Sequence, residues 1–149
     1  MHRQADVVPA PATSSDGVAG AGVAAEVDAA FAAYERALAG HDVDALDLFF
    51  LDSPATRRFG VADEQQGADA VRRWRRESSG VPRGRRLEAT QVQVLGPDVA
   101  VVTTRFGYGA RPATGRQTQV WLRTPDGWRI ASAHVSDPTP PPRDHAHLS

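Results

Sequence analysis

With 149 residues, of which 41% are hydrophobic, the chain can enclose one sizeable core and is too short for two. Its 17 basic and 18 acidic groups leave a net charge of -1, so no global field draws it to nucleic acid or to an anionic membrane. Every basic residue is Arg, and Cys and Asn are absent. That composition excludes disulfides, thiolate nucleophiles, Cys-ligated zinc, Schiff-base lysines and N-glycosylation. Chemistry therefore falls to Asp, Glu, His, Tyr, Ser, Thr, Arg or bound water.

No apolar run approaches the ~20 residues of a spanning helix, and residues 1–22 contain no continuous apolar stretch of signal-peptide length. The expectation is a cytoplasmic protein without a membrane partner. Residues 1–22 and 138–149 are rich in Pro, Ala, Gly, Ser or His and read as disordered tails. His145 and His147 in the second tail read as solvated rather than as metal ligands. One domain is expected over 23–137.

Val27, Phe31, Tyr34 and Leu38 form one apolar stripe and predict a helix over Val23–Ala39, ended by Gly40. Asp42 suits the N-cap of a short second helix that buries Ala45, Leu46, Phe49 and Phe50. A short strand is expected at Thr56–Phe59, and a third helix from Gly67 to about Ser78 burying Ala70, Val71 and Trp74. The period then changes to two. Leu87–Leu95, Ala100–Tyr108, Gln117–Arg123 and Trp128–Ser136 predict four strands. Gly96-Pro97-Asp98 and Pro125-Asp126-Gly127 supply turns between them. Helices followed by an antiparallel meander describe an α+β domain in which a curved sheet and its helices leave an open-ended cavity.

Tyr34 lies on the buried stripe, so its hydroxyl needs a partner, either a backbone carbonyl or a ligand. Alternation sends one of Arg57 and Arg58 inward, where a guanidinium requires an anion: Asp52, Asp63, Glu64 or a ligand carboxylate. Trp128, Ile130, Ser132, His134 and Ser136 share a face, which would carry His134 into the cavity. On the preceding strand Arg116 and Thr118 share one face and Gln117, Gln119 and Trp121 the other. Arg72, Arg73, Arg75, Arg76, Arg83, Arg85 and Arg86 read as a solvated face rather than a nucleic-acid groove, because Trp74 is the lone interleaved aromatic. No metal motif, phosphate loop or nucleophile elbow is present.

The segments FAAYERALAGHDVDALDLFF (31–50), DSPATRRFG (52–60), GADAVRRWRR (67–76) and GRQTQVWLRTPDGWRIASAHVS (115–136) resemble the NTF2-like, SnoaL-type superfamily, and within it the AtzH-like family. The resemblance implies a cone-shaped half-barrel with three helices on a curved antiparallel sheet. It also implies a homodimer or higher homo-oligomer packed through the outer sheet face, and no metal or other cofactor. The implied activity is decarboxylating amidohydrolysis of 1,3-dicarboxyurea or a related ureido acid. Tyr34 and Arg58 fall on the family's functional pair. Arg58 would hold a substrate carboxylate and Tyr34 would transfer a proton, its phenolate favoured by the nearby guanidinium. Arg116, Gln119 and His134 are further candidates for substrate contact. Two other readings stand beside this one. A SnoaL-type isomerase or cyclase would need Asp44, Asp52 or Asp63 inside the cavity, and a non-catalytic module would stabilise a partner amidase through an exposed apolar patch.

Overall fold

The computed structural model describes residues 6–9 and 14–140. In chain order the elements are β1 (Asp6–Pro9), α1 (Ser14–Ala39), α2 (Val43–Phe49), β2 (Arg57–Phe59), β3 (Glu64–Gln66), α3 (Ala68–Glu77), β4 (Arg85–Gly96), β5 (Val99–Tyr108), β6 (Gly115–Thr124) and β7 (Gly127–Ser136). The seven strands form one unclosed sheet in the order β1-β4-β5-β6-β7-β2-β3, covered by the three helices. This is the α+β half-barrel expected, with two additions. Pairing is antiparallel through β4-β5-β6-β7, but β1 runs parallel to β4 and β2 parallel to β7. Strand β3 pairs with β2 and was not foreseen.

The first boundary needs correcting. Helix α1 starts at Ser14, inside the segment expected to be a tail, and Asp6–Pro9 adds a strand to the sheet edge. The first turns of α1 carry Gly17, Gly20 and Gly22, poor helix formers, so composition gave no sign of a helix there. Val23 and Ala24, 6% and 2% exposed, extend the apolar stripe of α1 toward its N-terminus. The tail character expected of residues 1–5, 10–13 and 141–149, and the solvated state expected of His145 and His147, lie outside the described residues.

The core is built as the periodicities require. Val27, Phe31, Tyr34 and Leu38 of α1 are all buried, with Val92, Val102, Trp121 and Ile130 beneath them. Asp42 caps α2 by accepting a hydrogen bond from the Ala45 amide at 3.2 Å. The chain leaving α2 docks on β7, where the Leu51 amide donates to the Ile130 carbonyl at 2.9 Å. Strand β2 is thereby delivered alongside β7. Gly67, with φ +91°, turns the chain from β3 into α3; a Cβ there would meet the Pro54 carbonyl oxygen at 3.3 Å.

One irregularity decides which side chains face inward. Strands β6 and β7 pair Val120 with Ser132 but Trp121 with Ile130, so Ala131 is an extra residue on β7. Such a bulge bends the strand and exchanges its faces. Trp128 and Ile130 are buried before it and Ala133 after it, while Ser132 and His134 are exposed.

Candidate functional site

Two site expectations need correcting, His134 because of the bulge on β7 and Arg116 because of regular alternation along β6. His134 does not enter the interior; it lies on the outer sheet face with its ring 5.4 Å from that of Phe59. Arg116, paired with Ser136 and Arg105 in the sheet register, is exposed on that face as well. Gln119 does face inward and is 1% exposed, its side-chain oxygen accepting from the Trp121 indole at 3.1 Å.

Register carries one row of side chains across the inner face. Arg58 pairs with Gln65 on β3 and with Ala133 on β7, Ala133 with Gln119 on β6, and Gln119 with Val102 on β5. Ala133 is the smallest member of that row, so the bulge places a methyl group between Arg58 and Gln119.

Alternation had left Arg57 and Arg58 undecided. The structure turns Arg58 inward, with its side chain 13% exposed, and leaves Arg57 outside, bonded to Glu64. The Arg58 guanidinium sits over Trp74 of α3, its carbon 3.6 Å from the ring centroid. It bonds the half-exposed Asp63 carboxylate and donates to the Gln65 side-chain oxygen at 2.9 Å.

Tyr34 is held by ring packing. Phe49, Phe50 and Trp121 meet it edge-on, with centroids 5.9, 6.3 and 6.2 Å away. These rings pack around Tyr34 in the core. An open concavity of about 580 Å³ does lie outside α2, lined by Asp47, Phe50, Asp52, Arg72 and Arg129 among others. It contains Asp52 but none of Tyr34, Arg58, Arg116, Gln119 and His134.

The phenol is in polar contact with Arg75 of α3 and within the fields of Arg85 and Arg58. Burial pushes its pKa above the free value of 10.0, outweighing the pull of those three guanidiniums. The expected phenolate is therefore corrected: Tyr34 is a protonated phenol, able to donate and poor as a base.

Sequence reasoning also missed three interior groups. Arg75 had been placed on a solvated face, yet it is 3% exposed, and Ala68, Val71 and Arg75 form the buried stripe of α3. Trp74 and Ala70 are only half-buried. The spacing of three and four through Val71 was present in the sequence, hidden in a run of identical arginines. Arg85, assigned to the same solvated set, is 6% exposed at its side chain and pairs with buried Glu35. Its Nε and Nη2 donate to the two Glu35 oxygens at 2.9 and 3.2 Å, and Nη2 also donates to Gln117 at 3.1 Å. Glu35 continues the Val27-Phe31 spacing by four, which was the available signal.

Asp44 and Asp52 are exposed, and Asp63 is taken by Arg58, so the three carboxylates an isomerase would need do not line the interior. Among the described residues no group of three or more His, Asp or Glu is placed to hold a metal ion. No helix among them is long and apolar enough to cross a membrane.

The family profile that matches this chain is that of AtzH-like proteins, over residues 17–139. The chain belongs to the AtzH-like family. A cystatin-like fold protein from Burkholderia xenovorans is 44% identical, with a TM-score of 0.75, 80% of this chain and 95% of that one being covered. A protein of unknown function from the DUF3225 family, from Pectobacterium atrosepticum, is 39% identical at the same TM-score, with 80% and 93% covered. An NTF2-like superfamily protein from Salmonella enterica, 22% identical with a TM-score of 0.67 and 82% and 95% covered, shares the fold. These likenesses show that this AtzH-like protein has the NTF2-like fold. No curated protein matches the chain significantly.

Proposed function

We infer that this AtzH-like protein is a hydrolase of small N-carboxylated ureas, with 1,3-dicarboxyurea as the reference substrate. The observation that carries the reading is the pairing of a buried, protonated Tyr34 phenol with inward-facing guanidiniums that include Arg58. The family resemblance supplies the substrate class; the residues supply a reason for it.

Releasing a carboxylate from a urea nitrogen breaks the bond between that nitrogen and the carboxylate carbon. The electron pair stays on nitrogen, carbon dioxide departs, and the nitrogen must acquire a proton. In balanced form, 1,3-dicarboxyurea and one proton give allophanate and carbon dioxide; hydration of the latter consumes the water. A group that donates to nitrogen suits this step better than a base. Tyr34 holds such a proton at neutral pH, and Arg75 lies close enough to steady the phenolate left behind. Arg58, always charged, holds a carboxylate through its planar fork, sharing or replacing Asp63. Gln119, in the same row, is the candidate for the urea group.

The expected assembly is a homo-oligomer joined through the outer sheet face. That face carries the half-buried pairs Val101–Val120 and Val99–Leu122 and the exposed Leu95. Purified protein supplied with freshly prepared 1,3-dicarboxyurea should yield allophanate and carbon dioxide, and biuret, which has no carboxylate, should be untouched. Equal rates on the two compounds, or none on either, would overturn the reading.

A further inference from the structure

Arg75 carries an unspent binding capacity. Among the described residues its buried Nε and Nη2 atoms have no hydrogen-bond partner. Those two nitrogens form one edge of the guanidinium, where the N–H bonds run side by side and can take both oxygens of a carboxylate. The nearest anion is Asp47 of α2, whose Oδ1 stands 3.6 Å from Nε. That is beyond hydrogen-bonding distance, and the same oxygen is itself buried without a partner. A buried polar atom left in this state is destabilising, the more so when charged. Three such atoms facing one another describe a contact that packing alone does not justify.

The second observation is the indole between the two arginines. The Arg58 and Arg75 guanidinium carbons lie 3.6 and 5.2 Å from the centroid of the same Trp74 ring. Their separation cannot exceed those two distances laid end to end, so both charges serve one small region. Arg58 has Asp63 as a close carboxylate; Arg75 has only the offset Asp47.

We propose that Arg75 is a second carboxylate anchor, and that Arg58 and Arg75, gathered on Trp74, select dicarboxylated ligands over monocarboxylated ones. The proposal rests on the carboxylated-urea reading and deepens it by assigning the two ends of the substrate. One carboxylate sits on Arg58; the other takes the free edge of Arg75 while Asp47 gives way. Burial raises the Asp47 pKa from its ordinary value against the pull of Arg75, which eases that exchange.

Glutarate tests this, because it places two carboxylates at the same chain separation as 1,3-dicarboxyurea and has no C–N bond to break. Pentanoate is its monocarboxylate control. Calorimetric titration of the wild type should show glutarate binding at least tenfold tighter than pentanoate. Arg75→Met should bring glutarate to the pentanoate level and leave pentanoate unchanged. Asp47→Asn, which removes the competing charge, should tighten glutarate several-fold. A folded Arg75→Met that keeps the wild-type preference overturns the proposal and makes Arg75 a tether between α2 and α3. If Arg75→Met does not fold, Asp47→Asn decides: glutarate affinity that is unchanged or weaker overturns it. Failure of the underlying reading is seen separately, in wild type that binds neither acid and does not consume 1,3-dicarboxyurea.

Discussion

Tyr34 and Glu35 are consecutive on α1 and both are buried, at 6% and 8% exposure, yet they answer to different arginines. Tyr34 meets Arg75 from α3, whereas Glu35 binds Arg85 from β4. Successive helical residues point about 100° apart, so one turn of α1 serves two polar centres. The Glu35 centre is closed: its oxygens are filled by Arg85 and Gln117, and Arg85 also donates to the Tyr108 hydroxyl at 3.4 Å. Its role is structural. Glu35→Ala, which leaves the Arg85 charge buried without its anion, should destabilise the fold by about 3–5 kcal/mol in chemical denaturation. A loss below about 1 kcal/mol would show that the pair is replaced by solvent.

The Tyr34 centre is the reactive one in this account. Tyr34→Phe keeps the ring contacts and removes only the proton, so turnover should fall by about 10²–10⁴ while the thermal midpoint changes little. The pH profile fixes the direction of transfer. A donor must be protonated, and burial raises the Tyr34 pKa above 10.0, so kcat should show no Tyr34-dependent decline below that pH. A rate that climbs steadily with pH through the neutral range, and loses the climb in Tyr34→Phe, would make Tyr34 a base.

Asp63 occupies Arg58 in the absence of substrate, from a position 38% exposed at its side chain. The carboxylate end of the pair is open to solvent, where an ion pair contributes about 1 kcal/mol. Asp63→Ala should therefore leave the thermal midpoint nearly unchanged and lower KM several-fold, by freeing the guanidinium for a carboxylate. A raised KM would instead show that Asp63 orients Arg58.

Arg116 and His134 lie on the far side of the sheet from Tyr34. Arg116→Ala and His134→Ala should each keep kcat and KM within about twofold of wild type. A tenfold loss in either would mean that the outer face takes part in the reaction.

The parts of this architecture that were legible in sequence are those governed by long, regular periodicity. The stripe through Val27, Phe31, Tyr34 and Leu38, the Asp42 cap and the four long strands all follow from spacing or turn chemistry. The inward turn of His134 failed because a single inserted residue reverses a strand's faces, and Ala131 stands among small residues that give no sign of it. Arg75 and Arg85 failed for a different reason. A guanidinium is buried only when tertiary partners from other parts of the chain arrive, here Phe50 and Asp47, or Glu35 and Gln117. In a chain whose cations are all Arg, charge type alone distinguishes none of them. Arg58 and Tyr34 could be placed on inward-facing elements from residues, but their union in one reaction came from the family resemblance.

The central claim is that Arg58 holds the substrate of a carboxylated-urea hydrolase. The most direct test follows allophanate and carbon dioxide from freshly generated 1,3-dicarboxyurea, with wild type beside Arg58→Ala. The account predicts turnover by wild type and its loss in a variant that remains folded by circular dichroism. Undiminished turnover in Arg58→Ala, or a folded wild type that leaves 1,3-dicarboxyurea intact, would contradict it.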